Sequence, residues 1–212
     1  LEVSFESATA TATGVSRYAA LSPAQMGAQC DLAVVVGGDG TMLGIGRELA
    51  RYNLPLVGIN QGRLGFITDI RMDQFREVLA PMIRGEFVED HRSMIEGGVW
   101  RDGECIFEGL SMNDVVVSRG ATASMVELKV DIGDDFVANL RADGLIVSSP
   151  TGSTAYSLSA RGPVLSPRLK AVLLTPVSPH MLFDRSLALD PSELVGVDMI
   201  CDKCAKHDEV TK

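Results

Sequence analysis

The residues with the greatest capacity for chemistry are five in a row, Gly37-Gly38-Asp39-Gly40-Thr41. Glycines let a backbone approach a ligand closely and admit positive φ. Where a helix begins on such a loop, its first N–H groups lack intrahelical partners and carry partial positive charge, which favours phosphate. Gly37, Gly38, Gly40 and Thr41 therefore read as a phosphate loop. Asp39 is not a phosphate ligand unaided, because like charges repel. It makes sense as a base for a hydroxyl, or as a group reached through a metal ion. The plainer alternative is a glycine-rich turn with Asp39 as a local cap.

Two further sets stand out. Asn113-Asp114 directly precede Val115 to Val117. A carboxylate there can accept from both hydroxyls of a ribose diol, while the plainer alternative is an Asx-turn. Arg141, Asp143 and Gly144 lead into SSPTGSTAYSLS at 148–159, a dense run of hydroxyl and backbone hydrogen-bonding groups. Tyr156 adds a flat face on which an adenine can stack. A solvated Ser/Thr loop is the competing reading. His180 reads as a hydrogen-bonded structural histidine. Cys201, Cys204 and His207 offer three zinc-type ligands, but without a fourth no metal site is expected.

The elements that position these groups change style along the chain. Residues 1–87 read as an α/β domain with a parallel sheet, and 88–212 as a mainly β, sandwich-like domain whose last segment is a candidate to pack back on the first. Leu32 to Val36 (LAVVV) is a continuous apolar run, as expected of a strand buried on both faces. Leu54 to Ile59 is a second. Between them Met42, Leu43, Ile45, Leu49 and Ala50 mark a helix over 41–52. Phe75, Val78, Leu79, Met82 and Ile83 mark another, with Asp73 as N-cap, Gly85 as C′ residue and Pro81 as a source of kinking. Strand–helix–strand order argues for a parallel sheet. Beyond residue 88, Asp102-Gly103 reads as a hairpin turn. Val126, Leu128, Val130 and Ile132 alternate with polar residues as in a half-buried strand, and Gly133-Asp134-Asp135 turns the chain back.

The 28 acidic and 19 basic residues give a formal net charge of −9, which argues against nucleic-acid or anionic-membrane partners. No apolar run approaches the roughly 20 residues that cross a bilayer, and no secretory signal is recognised. Reduced thiols and a cytoplasmic location are the expectation. There is no P-loop lysine motif, so a Walker-type kinase is not expected.

GGDGT at 37–41, SMND at 111–114 and RADGLIVSSPTGSTAYSLSA at 141–160, in that order, resemble the signature of the NAD kinases. GINQGRLGF at 58–66, and LTPVSPH at 174–180 followed by Arg185, are similar to that family's weaker segments. The resemblance covers about residues 30–190. It implies transfer of the γ-phosphate of ATP, with Mg²⁺, to the adenosine 2′-hydroxyl of NAD, giving NADP. Asp39 would be the proton acceptor and, with Gly40, part of the NAD site. Asn113 and Asp114 would bind ribose hydroxyls, and Arg141 and Asp143 would contact the dinucleotide. Thr154, Ala155, Tyr156, Ser157, Leu158 and Ser159 would line the adenine side, and Phe66 would pack on a base or ribose. Ser124 falls where many relatives carry a basic or long polar residue in the NAD site. A homodimer or homotetramer is implied. Three departures stand out. Arg161 replaces a usual glycine, the family's first strand is not found ahead of Leu1, and its late Asp-Gly-Gln segment is not recognisable near Cys201. GGDGT alone is also shared with diacylglycerol kinase-like lipid kinases, which remain an alternative, as does a non-catalytic dinucleotide-binding module.

Overall fold

In the computed structural model, residues 1–62, 65–119, 125–180 and 185–200 are described. The chain divides into two compact units, Leu1–Asp90 and His91–Lys212.

The first unit begins with β1 (Ser4–Glu6), α1 (Ser7–Thr13), β2 (Ala19–Leu21) and α2 (Pro23–Gln29), with β1 and β2 pairing in parallel. The Ala/Thr-rich stretch is helical although it has no apolar stripe. The Glu6 carboxylate caps it by accepting from the N–H groups of Ala8 (2.8 Å) and Thr9 (2.7 Å). α2 starts with a full capping box, Ser22 with Gln25, and carries Pro23 in its first turn.

Next come β3 (Ala33–Gly37), α3 (Asp39–Leu49), β4 (Leu56–Asn60), β5 (Ile70–Arg71) and α4 (Phe75–Ile83). The order β3-β4-β5 is parallel throughout, and Gly37 pairs with Asn60. Ala33, Leu49 and Leu54 form the core, with Met26, Cys30, Ile45 and Leu56 packed against it.

Three sequence expectations change here. β3 is not buried on both faces. Ala33, Val35 and Gly37 point inward, while Val34 and Val36 are 46% and 48% exposed. Strand side chains alternate, and only the face toward α2 and α3 is covered among the described residues. The helix over 41–52 begins at Asp39 and gives way to a 3₁₀ turn at Ala50–Tyr52. Asp73 does not cap α4. Its carboxylate takes Arg71 Nε (3.0 Å) and Nη2 (2.9 Å) instead, and Gln74 occupies the cap position without a side-chain bond. Gly85 is the C′ residue, at φ +88°, and Pro81 lies inside the helix.

The second unit is mainly antiparallel β. It contains β6 (Ile95–Arg101), β7 (Glu104–Ser111), β8 (Asp114–Ser118), β9 (Val126–Ile132), β10 (Asp135–Ala142), β11 (Gly144–Ser148), α5 (Tyr156–Ser159), β12 (Val172–Val177), β13 (Leu187–Leu189) and β14 (Val195–Ile200). Asp102 and Gly103 join β6 to β7 with φ of +53° and +80°, the sign pair a type I′ hairpin needs. One sheet runs β10-β9-β14 and another β13-β12-β11-β8. Val126, Leu128, Val130, Leu140 and Ala142 of the first face Leu145 and Leu174 of the second across one core, a sandwich.

Candidate active site

The first unit supplies the glycine loop. β3 ends at Gly37 and α3 starts at Asp39, so the N–H groups of Asp39, Gly40 and Thr41 head a helix with no intrahelical acceptor. A Cβ at Gly37 would fall 2.6 Å from Thr41 Oγ1, so packing accounts for that glycine. Gly38 and Gly40 are different. Neither takes positive φ, and a Cβ at either would meet nothing within 4 Å. The fold itself does not require glycine there. The open space in front of the helix start is what a group docking against the backbone would use.

Asp39 is neither a cap nor a loose side chain. Its Oδ2 accepts from Phe66 N–H (2.7 Å), and its Oδ1 from Ile67 N–H (3.2 Å), Thr68 N–H (3.0 Å) and Thr68 Oγ1–H (2.8 Å). A Cβ at Gly65 would lie 2.0 Å from Asp39 Oδ1, so this contact needs glycine. Partial burial pushes the Asp39 carboxyl up, but the donors of Thr68, Phe66 and Ile67 outweigh it and hold it below its ordinary value. A carboxyl more acidic when folded stabilises fully above its unfolded pKa. That contribution is lost as pH falls through the folded value. Phe66 has its backbone in this clasp while its side chain stands out, the residue being 78% exposed.

The second unit holds the other two motifs, and β-pairing brings them together. Asp114 opens β8 and pairs with Ser148, the last residue of β11. The loop after β11 then folds onto the backbone of Asn113. Ser149 N–H donates to Asn113 O (2.8 Å), and Ser149 Oγ donates to Met112 O (2.5 Å). A Cβ at Gly152 would fall 2.0 Å from Asn113 O, so SMND and TGSTAYS form one surface. Burial raises the Asp114 carboxyl above its ordinary value, and no described residue donates to it.

Hydroxyls in the Ser/Thr loop divide by direction. Ser148, Ser149, Ser153 and Ser157 are buried. Ser153 Oγ donates to Pro150 O (2.7 Å) and accepts from Leu165 N–H (2.9 Å), and Ser157 Oγ bonds Thr175 Oγ1 (2.9 Å). Ser157 thus spends its hydroxyl inside the unit rather than on a ligand. Tyr156 and Leu158 are 46% and 45% exposed, with Ser159 also exposed and Thr154 and Ala155 half-buried. Arg141 pairs with Glu127 (3.5 Å) across β10 and β9, and Asp143 with Arg119 (3.5 Å). The backbone N–H of His180 donates to Arg141 O (2.9 Å).

Arg161 stands at φ +66°. Its N–H bonds Leu158 O (3.0 Å), and Gly162 N–H bonds Ser157 O (2.8 Å), a Schellman motif closing α5. Glycine is the usual residue at that position. Ser124, Cys201, Cys204, His207 and the rest of the last segment lie outside the described residues. Among the described residues no group of three or more His, Cys, Asp or Glu forms a metal site, and Cys30 and Cys105 are free thiols. Sequence reasoning missed Thr68 and the use made of Asn60. GINQGRLGF showed its glycines but not what they pack against.

Residues 3–87 match the family model for the ATP-NAD kinase N-terminal domain, and residues 112–206 the model for the ATP-NAD kinase C-terminal domain. The chain is 57% identical over 209 residues to the NAD kinase of Methylibium petroleiphilum, covering 97% of this chain and 69% of that protein. It is 56% identical over 204 residues to the NAD kinase of Polaromonas naphthalenivorans, covering 96% and 70%. Among solved structures it matches yeast NADH kinase complexed with NADH at a TM-score of 0.86 and 27% identity, covering 94% of this chain and 63% of that one. It also matches an NAD kinase from Archaeoglobus fulgidus in complex with ATP at a TM-score of 0.68 and 30% identity, covering 81% and 68%.

Proposed function

The chain belongs to the NAD kinase family, whose reaction is the phosphorylation of NAD, and from that premise we propose that ATP is the donor and the adenosine 2′-hydroxyl the acceptor. The 2′-oxygen forms a bond to the γ-phosphorus, the bond from that phosphorus to the β,γ-bridging oxygen breaks, and ADP leaves. The hydroxyl proton passes to Asp39. Phosphoryl transfer demands positioning and charge neutralisation more than strong basicity, so a carboxylate held ionised by four donors suits the task. The N–H groups heading α3, with Gly38 and Gly40 leaving room, face phosphate oxygens. Mg²⁺ bound to the ATP phosphates would supply further neutralisation of their charge.

The observation that carries the reading is Asp114. A half-buried carboxylate with no donor among the described residues is costly to the free protein. A ribose diol supplies the missing donors, with Asn113 beside it. Tyr156, Leu158, Ala155, Thr154 and Ser159 form the adenine side, with Ser157 acting through packing. Arg141 and Asp143 contact the dinucleotide, and Phe66 packs on a base or ribose. The protein works as a homodimer or homotetramer in the cytoplasm. A lipid kinase is not favoured, because both family models and the similar proteins are NAD or NADH kinases. Nor is a non-catalytic module favoured.

The test is NADP formation from NAD and ATP by the parent and by Asp39→Asn. Loss of a general base costs about 10²–10⁴ in rate, while NAD affinity should hold within a few-fold. No NADP from the parent refutes the reaction, and a variant turning over within about threefold of the parent refutes the role of Asp39.

A further inference from the structure

Behind Asp39 lies a hydrogen-bonded pair for which the reaction as proposed has no use. Asn60 and Thr68 are 4% and 0% exposed. Asn60 Oδ1 accepts from Gly62 N–H (2.7 Å), which fixes the amide orientation and turns Nδ2 toward Thr68. Nδ2 then donates to Thr68 Oγ1 (2.8 Å) and Thr68 O (3.2 Å). With an incoming donor on one side, the single hydroxyl proton of Thr68 is directed at Asp39 Oδ1 (2.8 Å). Steric fit supports the same arrangement. A Cβ at Gly58 would fall 2.8 Å from Thr68 Cγ2, so glycine there admits the threonine. The pairing of Gly37 with Asn60 sets the strand end that carries Asn60 beside the end that leads into the glycine loop.

The two carboxylate oxygens of Asp39 are therefore unequal. Oδ1 takes three donors and Oδ2 one. We propose that Asn60 and Thr68 are positioning residues that anchor Oδ1 and so leave Oδ2 as the oxygen that receives the substrate proton. This rests on the reading of Asp39 as proton acceptor. A carboxylate free to rotate would offer the wrong lone pair for part of the time, and small misplacements in phosphoryl transfer are costly.

The experiment measures kcat and the KM for NAD and for ATP in Thr68→Val, Thr68→Ser and Asn60→Ala, with Thr68→Val also made in the Asp39→Asn background. Thr68→Val keeps shape and removes the hydroxyl. Its kcat should fall about 10–100-fold with both KM values within about threefold. Thr68→Ser should restore kcat to within about threefold of the parent, and Asn60→Ala should lower it in the same direction. In the Asp39→Asn background Thr68→Val should have no further effect, because the residue it acts through is gone. The proposal is overturned by a Thr68→Val protein with parent kcat, by an equal fold loss in both backgrounds, or by failure of Thr68→Ser to rescue. Should Thr68→Val not fold, Asn60→Ala alone and with Asp39→Asn decides by the same criteria. Parent-like turnover in Asp39→Asn alone would sink the proton-acceptor reading itself, a separate outcome.

Discussion

Replacing Arg161 with glycine should stabilise the protein. Arg161 occupies the C′ position of α5 at φ +66°, and a side chain in that region costs about 1–2 kcal/mol. The residue is exposed, and no hydrogen bond or ion pair of its side chain is found among the described residues. Glycine gives back roughly 0.5–1 kcal/mol through the greater freedom of the unfolded chain. The two backbone bonds of the motif, at 3.0 Å and 2.8 Å, do not depend on the side chain and should survive. The net gain is about 0.5–1 kcal/mol, or roughly 1–4 °C in the melting midpoint for a chain of this size. Thermal unfolding followed by circular dichroism, with a urea titration to check that the m-value is unchanged, measures it. Arg161→Ala should melt close to the parent, since alanine keeps the backbone penalty. A glycine variant that melts at or below the parent temperature would refute the reasoning.

Tyr156→Ala should weaken NAD binding by about 1–3 kcal/mol if the exposed ring stacks on adenine, with Tyr156→Phe milder; equal affinity by calorimetry would place the ring outside the site. Asp114→Asn should weaken NAD binding by about 1–3 kcal/mol, yet stabilise the free protein. The folded Asp114 carboxyl is raised above its unfolded value, so its stabilising effect is present below the unfolded pKa and lost as pH rises through the folded one. The advantage of the variant should thus be seen near neutrality and fade in acid, and a pH-independent difference in melting would contradict this. NAD lacking the adenosine 3′-hydroxyl should bind the parent more weakly, and Asp114→Ala should shrink that discrimination; equal losses in both proteins would show that Asp114 does not touch the diol. Gly65→Ala puts a Cβ 2.0 Å from Asp39 Oδ1 and should cost about 1–3 kcal/mol by overpacking, with turnover falling toward that of Asp39→Asn. Parent stability and rate would show that the clasp yields freely.

Much of the architecture could be read from neighbouring residues. Asp102-Gly103 turns the β6–β7 hairpin because both residues accept positive φ. Val126, Leu128 and Val130 fill the sandwich core because strand side chains alternate. Gly85 ends α4 for the same backbone reason. The capping box of Ser22 and Gln25, with Pro23 between them, is an equally local signal that a helix begins there. α1 carries no such periodic signal. Its Ala/Thr composition has no apolar face, and its stop and start depend on Glu6 and Gly14 rather than on periodicity.

Residue types and their spacing carry the local grammar of this protein: the glycine loop at a strand–helix junction, the acid at its centre, the turns, and the order of motifs that places the chain in its family. Those features depend on contacts a few residues apart, whose physics the residue types carry with them. Tertiary structure decided where the side chains point. Asp39 finds its donors at Phe66 to Thr68, 27 to 29 residues away. Ser157 loses its hydroxyl to Thr175, 18 residues on, and Val34 and Val36 stay exposed in a run that reads as core. Which hydroxyl is spent internally and which acid is left without a donor depends on strand pairing and register between distant segments, and composition and spacing do not encode that.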